Sequence, residues 1–336
     1  MTTPTIIAII IILLLIPQVY YMKKAIDYRA INNGVKFFIR IQREFDDHKE
    51  FYLANTDGHN IFVRLYEVEN PKAIVQLVHG MAEHSYNYKH FIKFLVSQGY
   101  TVVAHDHRGH GRSISEKYPN GYMSLSEELI DDTYAVNRFV SVRYPELKIF
   151  MVGHSMGSMI ARNYLKDHDN TIDKLILTGT VAHSKFAHFG KFMGNFISFY
   201  FGEYKKARLT ALLPGGDGDI GWISYDRENV IEKQNDPQRV FNFLEKAVTV
   251  IIDLNYKMGK RKSYRSQNKD LAILSITGVD DIVTDGEKGL AGSFDNLSKV
   301  GYHDLTNIVY DGMKHEVLNE ASKEEVYEDI IEFLEK

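Results

Sequence analysis

Apolar and polar positions follow three different rhythms along this chain. The first is an unbroken aliphatic run from Ile6 to Ile16, inside a stretch from Thr5 to Met22 that carries no charge. At 1.5 Å per helical residue that stretch spans roughly 27 Å, close to the hydrocarbon thickness of a bilayer. Tyr20 and Tyr21 suit an interfacial belt, and Lys23 and Lys24 follow them. The second rhythm begins at Phe51, where short apolar runs alternate with amphipathic stretches. Phe51–Leu53 and Ile61–Tyr66 flank Asn55-Thr56-Asp57-Gly58, which predicts a hairpin. Strands are predicted at Ala73–Val78, Thr101–Ala104, Lys148–Val152, Lys174–Thr178, Leu271–Thr277 and Ile308–Tyr310. Helices are predicted at Tyr88–Gln98, Ser126–Arg143, Met156–Lys166 and Lys323–Leu334. Strands alternating with helices imply a mainly parallel sheet covered on both faces.

The third rhythm occupies residues 184–255, rich in aromatics, with the single Trp222 and a glycine-rich loop from Pro214 to Gly218. It reads as a helical insertion between two sheet strands. The expected organisation is an anchor over 1–24, a basic juxtamembrane linker over 25–48, an α/β core over 49–183, a helical cap over 184–255 and the rest of the core over 256–336.

The N-terminal run lacks the basic n-region and the small-x-small cleavage site of a signal peptide. It also lies at the extreme terminus, an odd place for a buried core helix. An uncleaved single-pass anchor is therefore expected. Basic residues downstream of it (Lys23, Lys24, Arg29, Lys36, Arg40, Arg43) put the soluble bulk on the cytoplasmic side.

Composition narrows the chemistry. Lys and Arg number 40 against 44 Asp and Glu, a net charge of −4, which argues against a nucleic-acid partner. The 336 residues contain no cysteine, which excludes thiol nucleophiles, disulfide scaffolds and Cys-ligated metals.

Gly153-His154-Ser155-Met156-Gly157 fits G-x-S-x-G between a predicted strand and a predicted helix. This is the nucleophile elbow of an α/β-hydrolase fold, whose flanking glycines (Gly153, Gly157) leave room for a tight turn. It lifts the Ser155 hydroxyl above the sheet and aims the Met156 N–H at a developing oxyanion. A serine nucleophile needs a base, and the base an orienting acid, in the chain order Ser, acid, His. Two late strands run into Asp280-Asp281 and into His315, at carboxyl ends where ligands bind in open α/β sheets. Asp281 is the expected acid and His315 the base. Asp280 is the rival acid, with turn-shaping as its alternative role. After strand Ala73–Val78 comes His79-Gly80-Met81, where Gly80 admits the substrate and the Met81 N–H is the second expected oxyanion donor.

With these pieces in place, the chain resembles the monoacylglycerol lipase and lysophospholipase branch of the serine α/β-hydrolases, the serine-aminopeptidase-like family. The resemblance rests on residues 79–85, 105–113, 153–158, the Asp281 turn and 315–320, and more loosely on 222–226 and Asp236-Pro237. It covers roughly residues 50–336 and leaves 1–48 outside. It implies hydrolysis of acyl-glycerol or lysophospholipid esters under a mobile apolar cap, with the acid at Asp281. No metal or organic cofactor is needed for that chemistry.

His105-Asp106-His107-Arg108-Gly109-His110 spells H-x-H-x-x-H, but Gly109 replaces the acid usual in metallo-hydrolase clusters, so a hydrogen-bonded loop is expected. Glu83 and His84 are expected at the pocket rim, and Glu316 and Glu320 as braces of the His315 loop. Phe189, Phe192, Phe196 and Phe199 recur at helical spacing, as cap core or as a lipid-touching face. The same triad also serves thioesterases, peptidases and acyltransferases. A non-catalytic lipid-binding protein is a further alternative, disfavoured by an intact Ser155, Asp281 and His315.

Overall fold

The computed structural model of the chain describes residues 2–31, 37–208 and 219–336. Among the described residues nine strands form one sheet: β1 (Phe38–Glu44), β2 (Lys49–Ala54), β3 (Asn60–Tyr66), β4 (Ile74–Val78), β5 (Thr101–His105), β6 (Ile149–His154), β7 (Lys174–Thr178), β8 (Ala272–Gly278) and β9 (Leu305–Tyr310). Their spatial order is β1-β2-β3-β5-β4-β6-β7-β8-β9. The β1–β2, β2–β3 and β3–β5 pairs are antiparallel and the rest are parallel. The β2–β3 hairpin closes at Gly58, whose φ of 81° demands a residue without a side chain.

Nine helices accompany the sheet among the described residues: α1 (Thr3–Ile31), α2 (Lys89–Ser97), α3 (Ser126–Arg143), α4 (Met156–His168), α5 (Ala187–Phe201), α6 (Arg227–Asn235), α7 (Glu245–Met258), α8 (Gly286–Lys299) and α9 (Lys323–Glu335). The central strands are buried along their whole length because helices cover both faces. Val136 and Phe139 of α3, Ile160 and Tyr164 of α4 and Leu297 of α8 pack on one face. Phe91 and Leu95 of α2 with Tyr327 and Ile330 of α9 pack on the other. This sheet brings the ends of β4, β6, β7, β8 and β9 together at one edge.

The structure departs from the sequence reading in several places, among them the unexpected helix α8 and a β9 that begins at Leu305 rather than Ile308. The expected linker over 25–48 contains the end of α1 and strand β1, which pairs with β2 around a bulge at Ile41. All seven β1 residues are exposed, so β1 carries no alternation of burial and leaves little periodic signal. Helix α1 runs through Pro17 and past Lys24 to Ile31. Helix α7 continues to Met258, beyond the expected cap boundary at 255. The loop Pro214–Gly218 lies outside the described residues.

Helix α1 has two halves. Residues before Leu14 are exposed, whereas Leu14, Pro17, Gln18, Tyr21, Lys24, Ala25 and Tyr28 form one half-buried or buried stripe at helical spacing. That stripe lies on the cap. The Gln18 amide donates to the Phe192 carbonyl at 2.9 Å and accepts from Asn195 at 3.0 Å. Lys24 pairs with Glu203 at 3.3 Å, and the Lys246 ammonium sits 3.3 Å from the centre of the Tyr21 ring.

Candidate active site

Strand β6 ends at His154, Ser155 forms the turn and α4 begins at Met156. Ser155 has φ 52° and ψ −115°, a conformation that costs a non-glycine residue strain and persists only where its surroundings enforce it. The surroundings are close. A Cβ on Gly157 would lie 2.0 Å from the Val78 carbonyl oxygen, and one on Gly153 would lie 2.6 Å from the Gly157 carbonyl oxygen. The Ser155 N–H donates to the Thr178 carbonyl at 2.9 Å, tying the elbow to β7.

The loop after β4 packs directly on the elbow. A Cβ on Gly80 would lie 3.0 Å from the Ser155 Cβ and 3.0 Å from the His154 ring, so only glycine lets the backbone come this near. The Gly80 N–H is occupied by Glu83 Oε1 at 2.6 Å. Met81, the next residue, is half-buried beside it.

His315 follows β9 and faces Asp281, which follows β8. Their Nδ1 and Oδ2 atoms are 2.9 Å apart, and both side chains are buried. Asp281 Oδ1 accepts from the Val283 N–H at 3.0 Å, which fixes the carboxylate. Asp280 is exposed and accepts from the Tyr225 hydroxyl at 2.9 Å instead. Burial alone would lower the His315 pKa, but the charge and hydrogen bond of Asp281, with the charges of Glu316 and Glu83, raise it above the ordinary imidazole value.

Two neighbours of His315 escaped sequence reasoning. Gly179 has φ 55°, and a Cβ there would lie 2.7 Å from His315 Cε1. The Trp222 ring centre lies 4.9 Å from that of His315. Gly179 sits in no motif and gives no signal; Trp222 stands out as the single tryptophan and in the looser match over 222–226, neither of which places it beside His315. Glu83 and His84, expected at the rim, are both buried, and His84 Nε2 contacts Asp236 Oδ2 at 2.7 Å. Glu320 holds the cap segment Ser224–Asp226 through its carboxylate and also accepts from the Lys314 N–H at 2.9 Å.

The histidine-rich loop forms a buried scaffold. The His107 N–H donates to His79 Nε2 at 2.9 Å, and His107 Nε2 lies 3.0 Å from the His79 carbonyl oxygen. Arg108 is held by Asp132 at 2.5 Å and 2.8 Å, and Asp106 accepts from the Ser85 and Arg112 N–H groups. Among the described residues no group of three His, Cys, Asp or Glu side chains is arranged to hold a metal.

Burial lowers the pKa of His79, His105, His107 and His110, to about 4 for His105 and His110. Below about pH 6.5 the unfolded chain therefore takes up protons that the folded chain refuses, and stability falls as pH drops toward 4. Each of the latter two accounts for roughly 3 kcal/mol at pH 4. His315, raised, titrates in the opposite sense and offsets only part of this. Both His105 ring nitrogens lack a hydrogen-bond partner among the described residues. Urea melts between pH 7.5 and 4.5 are expected to show a shallower loss of stability in His105→Phe; an unchanged slope would contradict the assignment.

Residues 69–322 match the family model described as Serine aminopeptidase, S33. The chain belongs to that family. Within it, the chain is similar to a monoacylglycerol lipase of Mycolicibacterium smegmatis, at 26% identity over 268 residues covering 79% of this chain and 89% of the relative. It is 35% identical to the human monoglyceride lipase over 111 residues, covering 33% of this chain and 36% of that protein. Among solved structures, a thermostable carboxyl esterase from Bacillus coagulans in complex with glycerol shares the fold at a TM-score of 0.74 and 26% identity. That match covers 90% of this chain and 98% of the esterase.

Proposed function

We propose that this S33-family chain hydrolyses carboxylic esters of monoacyl lipids, a monoacylglycerol or a lysophospholipid, through an acyl-enzyme on Ser155. The observation that carries this is the buried Asp281–His315 pair at the elbow of Ser155. The similarity to a monoacylglycerol lipase along 89% of that relative favours the lipid ester over other acyl donors.

The mechanism takes two steps. His315 accepts the Ser155 proton as the oxygen attacks the ester carbonyl, while Asp281 holds the imidazole tautomer and stabilises the imidazolium. The Met81 and Met156 N–H groups receive the oxyanion. Collapse expels the glycerol-side alcohol, which takes the proton from His315. Water, deprotonated by His315, then attacks the acyl-enzyme, and the fatty acid leaves as Ser155 recovers its proton.

The test is competition for fluorophosphonate labelling of the full chain. Long-chain monoacylglycerols and lysophospholipids, short esters, an acyl thioester and an aminoacyl anilide serve as competitors. Protection strongest with a monoacyl lipid is the expected result. Protection only by the thioester or the anilide would assign the triad to another acyl group.

The reading extends to the membrane. Helix α1 is apolar and long enough to cross a bilayer, with a mean hydropathy of 2.4 in its most apolar window. With Leu14 to Tyr28 docked on the cap, the exposed half, Thr3 to Leu13, reaches only roughly 16 Å into lipid, about half the hydrocarbon core. A full single-pass span requires the docked half to leave the cap, and the basic residues after it then put the catalytic domain on the cytoplasmic side. Of the four phenylalanines at helical spacing in α5, only Phe189 is exposed; Phe192, Phe196 and Phe199 are half-buried, and Phe199 meets Tyr20 of α1 edge-on. The lipid-facing set is instead Phe186, Phe189, Tyr200 and Phe201. Because the chain lacks cysteine, single cysteines at Ile9, Phe189 and Val142 can carry an environment-sensitive dye on an unmodified background. On vesicles containing anionic lipid, the dyes at 9 and 189 are expected to shift to the blue and the dye at 142 to stay put. A shift at 9 alone would restrict membrane contact to α1.

A further inference from the structure

The cap is joined to both halves of the site by one buried cation. Lys233 of α6 lies 2.7 Å from Glu83 Oε2 and 2.8 Å from Glu316 Oε1, and all three side chains are buried. Glu83 belongs to the loop that carries Gly80 and Met81. Its other oxygen accepts the Gly80 N–H at 2.6 Å and the Tyr88 hydroxyl at 2.5 Å. Glu316 directly follows His315. Its second oxygen accepts from Asn229 of α6 at 3.0 Å and from Asn319 at 3.1 Å, while its N–H donates to the Ile223 carbonyl at 2.8 Å.

The oxyanion-side loop is strained where the cap holds it. Ala82 has φ 68°, and its carbonyl accepts the Val240 N–H from the cap at 3.0 Å. A conformation of this kind persists when neighbours over-determine it. The ion pair and this backbone bond therefore run from the cap to the loop after β4, beside the contact of His84 with Asp236. Stability alone is a poor account of the ion pair. Buried ion pairs lose about as much in desolvation as they regain, and apolar residues of similar volume do as well.

We infer that Lys233 is a positioning residue, whose single ammonium sets the oxyanion loop through Glu83 and the His315 loop through Glu316. It rests on the triad reading given above. With the Gly80 N–H fixed on Glu83, the loop presents the following N–H, that of Met81, to the oxyanion. With Glu316 fixed, the backbone on the far side of His315 is fixed as well. The two loops flank Ser155, so one cation sets the distance across which the reaction takes place.

The same cluster sets the electrostatics of the base. Asp281, Glu316 and Glu83 face His315 as anions, and His154 lies beside it with ring centres 4.7 Å apart. Lys233 holds both glutamates ionised, and they raise the His315 pKa. Removing the ammonium lets burial push both carboxyl groups toward their neutral form, so the anions that raise the His315 pKa are weakened and the proton on His315 is held less tightly.

The experiment measures kcat, KM and the pH dependence of kcat/KM on the full chain, with active sites counted by fluorophosphonate titration. Lys233→Met is expected to lower kcat by about tenfold to a hundredfold with KM changed little, since the groups displaced act in the transition state. Its acid limb moves to lower pH, and Lys233→Met/Glu316→Gln, which removes one of the two carboxyl groups outright, keeps the limb on that lower side. Glu316→Gln alone moves the limb to lower pH, and this readout remains if Lys233→Met does not fold. A lower Tm with kcat per titrated site and acid limb both unchanged would reduce Lys233 to a structural ion pair. Ser155→Ala assayed in parallel separates the failures: activity surviving there overturns the triad reading rather than the role of Lys233.

Discussion

Ser155→Ala is expected to lower ester hydrolysis by at least about 10⁴-fold and to abolish fluorophosphonate labelling. On the proposed mechanism the substitution removes the atom that becomes acylated and leaves its surroundings in place. The elbow is held by the Ser155 N–H on the Thr178 carbonyl and by the close approaches of Gly153 and Gly157, none of which involves the hydroxyl. Residual catalysis of about 10³-fold over water should persist, because the oxyanion donors and the base remain. Alanine also accepts the positive φ of position 155 about as poorly as serine, so Tm should hardly move. A fall in activity accompanied by a large fall in Tm would mean that the hydroxyl supports the turn. Undiminished esterase activity would refute the nucleophile assignment outright.

Much of this architecture is legible in the sequence because its signals are local. A strand buried on both faces reads as a short apolar run, and β4 to β8 match such runs within a residue or two. Helix α3 coincides with its predicted limits because its amphipathic run is closed by Pro145. Strand β1 was hidden because an edge strand with both faces in water has no burial to encode. The docked half of α1 was hidden for a different reason. Its stripe of Pro17, Gln18, Tyr21, Lys24 and Tyr28 mixes apolar, polar and charged residues, each matched to a partner distant in sequence.

The site divides along the same line. Gly80, Gly153, Gly157 and Ser155 stand in motifs whose spacing is dictated by one turn or one loop, so residue type alone exposes them. Lys233 stands in no motif. Its role exists only because α6 folds over Glu83, 150 residues before it, and Glu316, far after it. Arg108 shows the intermediate case: its loop was legible, but its partners Asp57 and Asp132 lie on separate elements. Contacts that cross from the cap to the core are the part of the chemistry that sequence conceals.

The acid of the triad is where sequence left two candidates side by side, and it carries the second large expected effect. Asp281→Asn should lower kcat by about 10⁴-fold, the size seen when an orienting carboxylate becomes an amide and the wrong histidine tautomer results. The amide can place an N–H where Oδ2 now accepts from His315 Nδ1, so the imidazole proton moves to the nitrogen that must receive the Ser155 proton. The negative charge that raises the His315 pKa is lost at the same time, so the acid limb of any residual activity should move to lower pH. Asp280→Asn supplies the comparison at nearly identical sequence position. Asp280 is exposed and bonded to Tyr225, so its amide should leave kcat within about twofold, as exposed polar substitutions usually do. Equal losses from the two variants would mean that the turn, not one carboxylate, orients His315. A loss confined to Asp280→Asn would reverse the assignment.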